Sequence, residues 1–239
     1  MNRQLSITLY KMRKSLFFYL AALGLMIAGG LMAFNQIVTL GLEISGQSAF
    51  LGALSDTSLF FVPSLIVSYF IGNDFTNRTV NNEIGIGYTR LSVVLSRVLI
   101  ALPFAAFLYM FYAAPYSIIM GIANGFGGYF SITDVLVRFL LFFMQLISIL
   151  GFSALIIFWC KKAAMGMMIS VCFTVATCNV LRNLVSGNTI FRLTPFHRIT
   201  MNNEYLTTNA LVISVVSATL AIFMVLLVTH IVFRKAELK

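Results

Sequence analysis

Apolar residues in this chain gather in long uninterrupted blocks, and six blocks reach the length a bilayer demands. A hydrocarbon core about 30 Å thick needs about 20 residues of helix, each rising about 1.5 Å. The blocks cover residues 16–35, 52–71, 98–122, 135–159, 163–181 and 210–233. They lack the period-two alternation of a barrel strand, and lipid leaves open backbone groups unsatisfied, so the pattern predicts helices. The expected fold is an all-α integral membrane protein with six transmembrane helices.

The polar stretches between the blocks carry further expectations. Before the first block, Leu5, Leu9, Met12 and Leu16 recur at helical spacing among Arg3, Lys11, Arg13 and Lys14. That pattern predicts an amphipathic interfacial helix over residues 1–15. The alternative is that this segment simply begins span one. The block that follows is longer than a usual signal h-region and has no clear cleavage site, so it reads as a retained span. Residues 36–51 and 123–134 read as short connections, the second a turn built on Gly125, Gly127 and Gly128. Residues 182–209 form the largest connection on that side, where Phe191, Phe196 and Tyr205 suggest a segment folded back against the membrane.

Composition agrees with the block pattern. Of 239 residues, 60% are hydrophobic and 10% charged, and the mean hydropathy is +0.96. A soluble surface cannot be covered with so few charges. The net charge of +9 is explained by its distribution. One side of the membrane receives Arg3, Lys11, Arg13, Lys14, Arg78, Arg90, Arg97, Lys161, Lys162, Arg234, Lys235 and Lys239. The other receives Arg138, Arg182, Arg192 and Arg198. This imbalance predicts a multi-pass protein with both termini in the cytoplasm, in contact with anionic lipid. Nucleic-acid binding is not expected, because no basic stretch with interleaved aromatics follows a soluble fold.

Candidate chemistry is sparse. Cys160, Cys172 and Cys178 form no CxxC pair, which points to neither a disulfide framework nor a zinc site. There is no G-x-x-x-x-G-K-[ST] phosphate loop, no H-E-x-x-H and no G-x-S-x-G. Neither enzyme activity nor a cofactor is expected in this chain. Ionisable groups inside spans read as functional by default. Asp56 and Arg138 are the candidates, both placed near outer span ends where they could snorkel. Pro63, Pro103 and Pro115 could bend spans two and three. With Asp56 they make a weak candidate substrate path.

The most informative segment is the connection over residues 73–97. It holds Asp74 and Glu83, with Gly85 and Gly87 placed to end a short helix that Asp74 could cap. A second helix from Thr89 or Ser92 would feed span three. The run Asp74-Phe75, Arg78-Thr79, Asn82-Glu83-Ile84, Gly87-Tyr88-Thr89-Arg90 and Ser96-Arg97 resembles the signature of ABC-2 type permeases. It is most similar to small permeases beside bacteriocin, lantibiotic and peptide exporters. It departs at Arg78, where glycine is common, and at Thr89, where serine is common.

The resemblance implies a single permease domain over residues 1–239, with a cytoplasmic coupling helix between spans two and three and an extracellular loop at 182–209. Two such permeases, identical or paired with a sister chain, would join two nucleotide-binding ATPase subunits. ATP and Mg would bind in the ATPase. Asp74, Phe75, Arg78, Thr79, Asn82, Glu83, Gly87, Arg90 and Arg97 would form the coupling segment. Asp74 and Glu83 would contact the ATPase or cap the helix. Arg90 and Arg97 would fix the loop against neighbouring helices or lipid phosphate. The implied activity is export of an amphipathic peptide, bacteriocin or drug-like molecule from a bacterial plasma membrane, with links to immunity or multidrug resistance. The alternative is a gradient-driven secondary transporter or channel.

Overall fold

The computed structural model describes residues 2–39, 44–128, 130–181, 193–200 and 208–234. All regular structure among them is helical. Helices α1 (Asn2–Lys14), α2 (Leu16–Val38), α3 (Gly46–Ser55), α4 (Phe61–Thr76) and α5 (Thr79–Gly85) come first. Then follow α6 (Arg90–Leu108), α7 (Met110–Asn124), α8 (Ile132–Cys160) and α9 (Ala163–Val175), the last running into a π-helical segment, Ala176–Leu181. A short α10 (Pro195–Arg198) and the long α11 (Thr208–Arg234) complete the order. Among the described residues, five helical stretches are long and apolar enough to cross a membrane: Leu16–Val38, Arg90–Asn124, Ile132–Cys160, Ala163–Val180 and Thr208–Phe233.

The expected second span is where the pattern and the structure part. It is two helices. α3 begins at Gly46, inside the segment read as a loop, with Ser45 accepting from the Ser48 amide. It stops at Ser55, and α4 starts at Phe61. The break is the polar run Ser55-Asp56-Thr57-Ser58, whose side chains find bonds that compete with a helix. Asp56 accepts from the Ser58 amide at 2.9 Å. Pro63 is the third residue of α4, in the first turn where a missing N–H leaves no intrahelical bond unmade. It therefore starts a helix and does not bend one. Pro103 and Pro115 do lie inside α6 and α7.

Small and hydroxylated residues bring the helices together. A Cβ on Gly72 of α4 would lie 2.7 Å from Ala163 Cα of α9. Beside it, Ser64 meets Ser153 at 2.7 Å, Ser68 meets Ser170 at 2.6 Å, and Thr174 donates to Ser64 at 2.9 Å. These hydroxyls are fully buried and lock α4 to α8 and α9. Aromatic rings fill much of the remaining core. Phe75, Phe158 and Phe233 pack mutually at one end, with centroids 5.4–6.0 Å apart.

The two ends of the bundle are built differently. At one end α1, α5 and the start of α6 converge, and Arg90 reaches the Phe233 carbonyl at 3.1 Å. At the other, the Gly46 amide donates to Gly125 O, Asn124 to Ile44 O, and Gln47 to Phe130 O. Gly125 holds a φ of +88° as it ends α7, which bears out the expected glycine turn. Arg138 is 3% exposed and sits over the Phe130 ring at 4.2 Å.

α1 is a separate helix, divided from α2 at the extended residue Ser15. Of the expected stripe only Met12 is buried against the bundle; Leu5 is half-buried, and Leu9 and Leu16 are exposed. Gln4, Thr8 and Met12 are buried, whereas Ile7, Leu9 and Tyr10 are exposed. Of the large connection at 182–209, Leu193–Thr200 and the start of α11 fall within the described residues; there Phe196 is buried and packs on Phe152 and Phe173.

Candidate functional site

The connection between α4 and α6 is held from within. α4 continues through Asp74 to Thr76, so Asp74 is an interior helix residue and caps nothing. The short helix starts instead at Thr79, after Arg78 turns the chain with a φ of +55°. It ends in a Schellman arrangement. The Tyr88 amide reaches Glu83 O at 3.1 Å, the Gly87 amide reaches Ile84 O at 3.0 Å, and Gly87 has a φ of +103°. Thr89 then caps α6 by accepting from the Ser92 amide at 3.3 Å. α6 runs on directly into the span, without a separate feeder helix.

Arg97 is the centre of this region. Its side chain is 3% exposed. Its Nη1 and Nη2 donate to the two carboxylate oxygens of Glu83 at 2.7 and 2.5 Å, and its Nε donates to Asp74 at 3.2 Å. A guanidinium fork matched to a carboxylate is the strong form of such a bond. Lys11 of α1 donates to the other Asp74 oxygen at 2.8 Å. Gln4 of α1 donates to Glu83 at 3.0 Å and accepts from Ser92 at 2.7 Å. Two cations thus meet two anions, and four helices, α1, α4, α5 and α6, are joined through side chains alone.

This placement corrects one expectation and supports another. Asp74 does not cap the short helix, and both it and Glu83 face Arg97. Arg90 and Arg97 do fix the loop to neighbouring helices, by the bonds to Phe233 O, Asp74 and Glu83. Phe75 belongs to the aromatic core, and Thr79 is half-buried at the first position of α5. The exposed residues of the segment are Thr76, Asn77, Arg78, Asn82, Gly85, Ile86, Gly87, Thr89 and Leu91, Ile86 at 79%. Gln4 and Lys11 lie outside the loop pattern, and Ser92 stands in it only as a possible helix start. The helical period of α1, with Gln4, Thr8 and Met12 four apart, was the available signal for Gln4.

A second constellation lies at the helix break. Asp56 is the C-cap of α3, ten residues or about 15 Å of helix beyond its start at Gly46. Its carboxylate accepts from Tyr112 at 2.8 Å, and its backbone carbonyl accepts from Tyr109 at 2.5 Å. Tyr116 donates to Gln36. A cavity of about 320 Å³ opens here between α2, α3 and α7, lined by Asp56, Gln36, Tyr112 and Tyr116 among others. The three tyrosines, at i, i+3 and i+7, were a readable stripe. Pro63, Pro103 and Pro115 do not line this cavity. Pro103 borders a separate apolar cleft with Leu99, Ile147 and Val225, and Pro115 packs near Gly29. The four residues of the expected path are therefore not brought together.

The chain matches no family model and no curated protein. The geometry of these two regions is what any functional reading must rest on. Among the described residues no group of His, Cys, Asp and Glu could hold a metal ion.

Proposed function

We propose that the chain is the permease subunit of an ATP-driven exporter of the ABC-2 type that its loop resembles. In this reading it crosses a bacterial plasma membrane six times, the second crossing being the broken pair α3–α4. The end carrying α1 and α5 faces the cytoplasm, where the Lys and Arg excess belongs. Two permeases, identical or sister chains, work with two ATPase subunits that bind ATP and Mg. The cargo is an amphipathic peptide or drug-like molecule.

The observation that carries this reading is the construction of α5. It is short, its outer residues Arg78, Asn82 and Ile86 are exposed, and its inner residue Glu83 is gripped by buried Arg97. A partner seated on such a helix pushes on α1, α4 and α6 together, which is what a rigid-body change of the spans requires. Arg78 adds support. Its left-handed φ of +55° is the conformation glycine takes freely, at the position where the resembled family commonly has glycine.

The test is gentle detergent purification from native membranes. We expect a P-loop ATPase to co-purify in stoichiometric amount. Ile86→Glu with Arg78→Glu should release it while the permease remains folded, because neither side chain supports the fold. Recovery of the intact chain with no ATPase would contradict the proposal.

The helix break favours a second reading. Interrupted helices with an acidic group at the gap are a common construction for ion-coupled sites. Transport that follows a proton or sodium gradient and is lost in Asp56→Asn would select it.

A further inference from the structure

We infer that the cavity at the α3–α4 break is a binding site for an organic ammonium ion carrying an apolar body. The inference stands on the cavity itself and does not depend on what powers the protein.

Charge comes first. Asp56 places a half-buried carboxylate at the break between α3 and α4. Its two oxygens accept from Tyr112 and from the Ser58 amide. Among the described residues it makes no ion pair, whereas Asp74 and Glu83 both do. A half-buried carboxylate with no cation beside it leaves its charge free to attract one that arrives. The neighbouring backbone adds to the same sign. α3 ends at the break and presents its carbonyl pole there. α4, whose opposite pole would offset this, contributes no helical residue to the lining.

Shape and surface choose among cations. The volume of about 320 Å³ is that of a small-molecule pocket and far exceeds what one bare ion fills. Tyr112 and Tyr116 stand with rings nearly parallel, 10° apart in plane and 6.2 Å between centroids. Aromatic rings lining a cavity that also holds a carboxylate suit an ammonium, which can gain from both. Gln36 Oε1 and Ser48 Oγ add acceptors, and Met32 and Ile44 supply an apolar wall for the rest of the molecule. A metal ion would find few oxygens close together and would leave this wall unused.

The probe is phenethylammonium, with 2-phenylethanol as its uncharged counterpart. Binding of tritiated phenethylammonium is measured on the purified chain in lipid nanodiscs, without any partner, so failure here leaves the ATPase reading untouched. We expect saturable binding that 2-phenylethanol does not displace. Asp56→Asn should weaken it more than tenfold. Gly52→Leu is the second variant. A Cβ at Gly52 meets nothing within 4 Å and Gly52 lines the cavity, so leucine fills the space while the carboxylate and the break remain. It too should abolish binding, and it decides alone if Asp56→Asn does not fold. Absence of saturable binding, equal displacement by the alcohol, or unchanged binding in Gly52→Leu would overturn the inference.

Discussion

Acidic side chains in this protein are put to two different uses. At the α1–α5 end, Asp74 and Glu83 are enclosed by Arg97 and Lys11, and all four groups are satisfied inside the chain. At the α3–α4 break, Asp56 has tyrosine and amide donors, opens on a cavity and makes no ion pair among the described residues. The first arrangement is a rivet. Its charges cancel, so it can hold four helices without attracting anything. The second keeps an uncancelled charge beside free space, which suits recognition. In a chain with so few charges, whether an acid is paired says more about its role than its depth does.

Removing the rivet's centre should have the largest effect. Arg97→Ala leaves Glu83 with no cation and Asp74 with Lys11 alone, and removing the buried partner of such a cluster costs up to about 3–5 kcal/mol. We expect the purified variant to lose its monodisperse peak well below the melting temperature of the parent. Next is Gly72→Leu. Its Cβ would fall 2.7 Å from Ala163 Cα and 2.9 Å from Ile157 Cδ1, and overpacking of this kind costs about 1–3 kcal/mol. It should lower the midpoint of detergent unfolding without touching either charge cluster.

Smaller effects sharpen the contrast. Lys11→Ala removes a cation whose side chain is 41% exposed, so about 0–1 kcal/mol is expected. Asp56→Asn should move stability by a similar small amount, since asparagine keeps a carbonyl oxygen for the Ser58 amide, and yet it should weaken phenethylammonium binding more than tenfold. A destabilisation of Asp56→Asn as large as that of Arg97→Ala would erase the distinction between the two acids. Arg78→Gly has the opposite sign. Relief of the left-handed backbone offsets a more flexible unfolded chain, and a gain of up to about 1 kcal/mol is expected, seen as a raised melting temperature.

Hydropathy located most of the helices. α2, α6–α7, α8, α9 and α11 all lie where apolar blocks predicted them, because the physics there is local: enough apolar residues in one run. The α3–α4 break was missed because a window average hides four polar residues, Ser55 to Ser58, among apolar ones. Those four were in plain view. Asp74 was misread as a cap because its stabilising partner is Arg97, 23 residues away and on another helix. No propensity of the residue itself carries that information. The residues of the α4–α6 connection were legible as a group, and so was the anchoring role of Arg97. The direction in which Asp74 and Glu83 face was not, since an acidic residue on a polar loop serves an outside contact and an inside clasp equally well. For α1 the spacing predicted a helix, which is present, but the face turned to the bundle is set by what α6 offers, Ser92 among it.

The account rests most heavily on α5 as the seat of an ATPase, and photo-crosslinking in native membranes tests that most directly. Ile86 on the α5 hairpin and Ile132 at the start of α8 are both 79% exposed and lie at opposite ends of the bundle. A benzophenone-bearing residue is placed at each in turn. The account predicts a crosslink from position 86 to a P-loop ATPase and none from position 132. No ATPase crosslink at 86, or an equal one at 132, would contradict it.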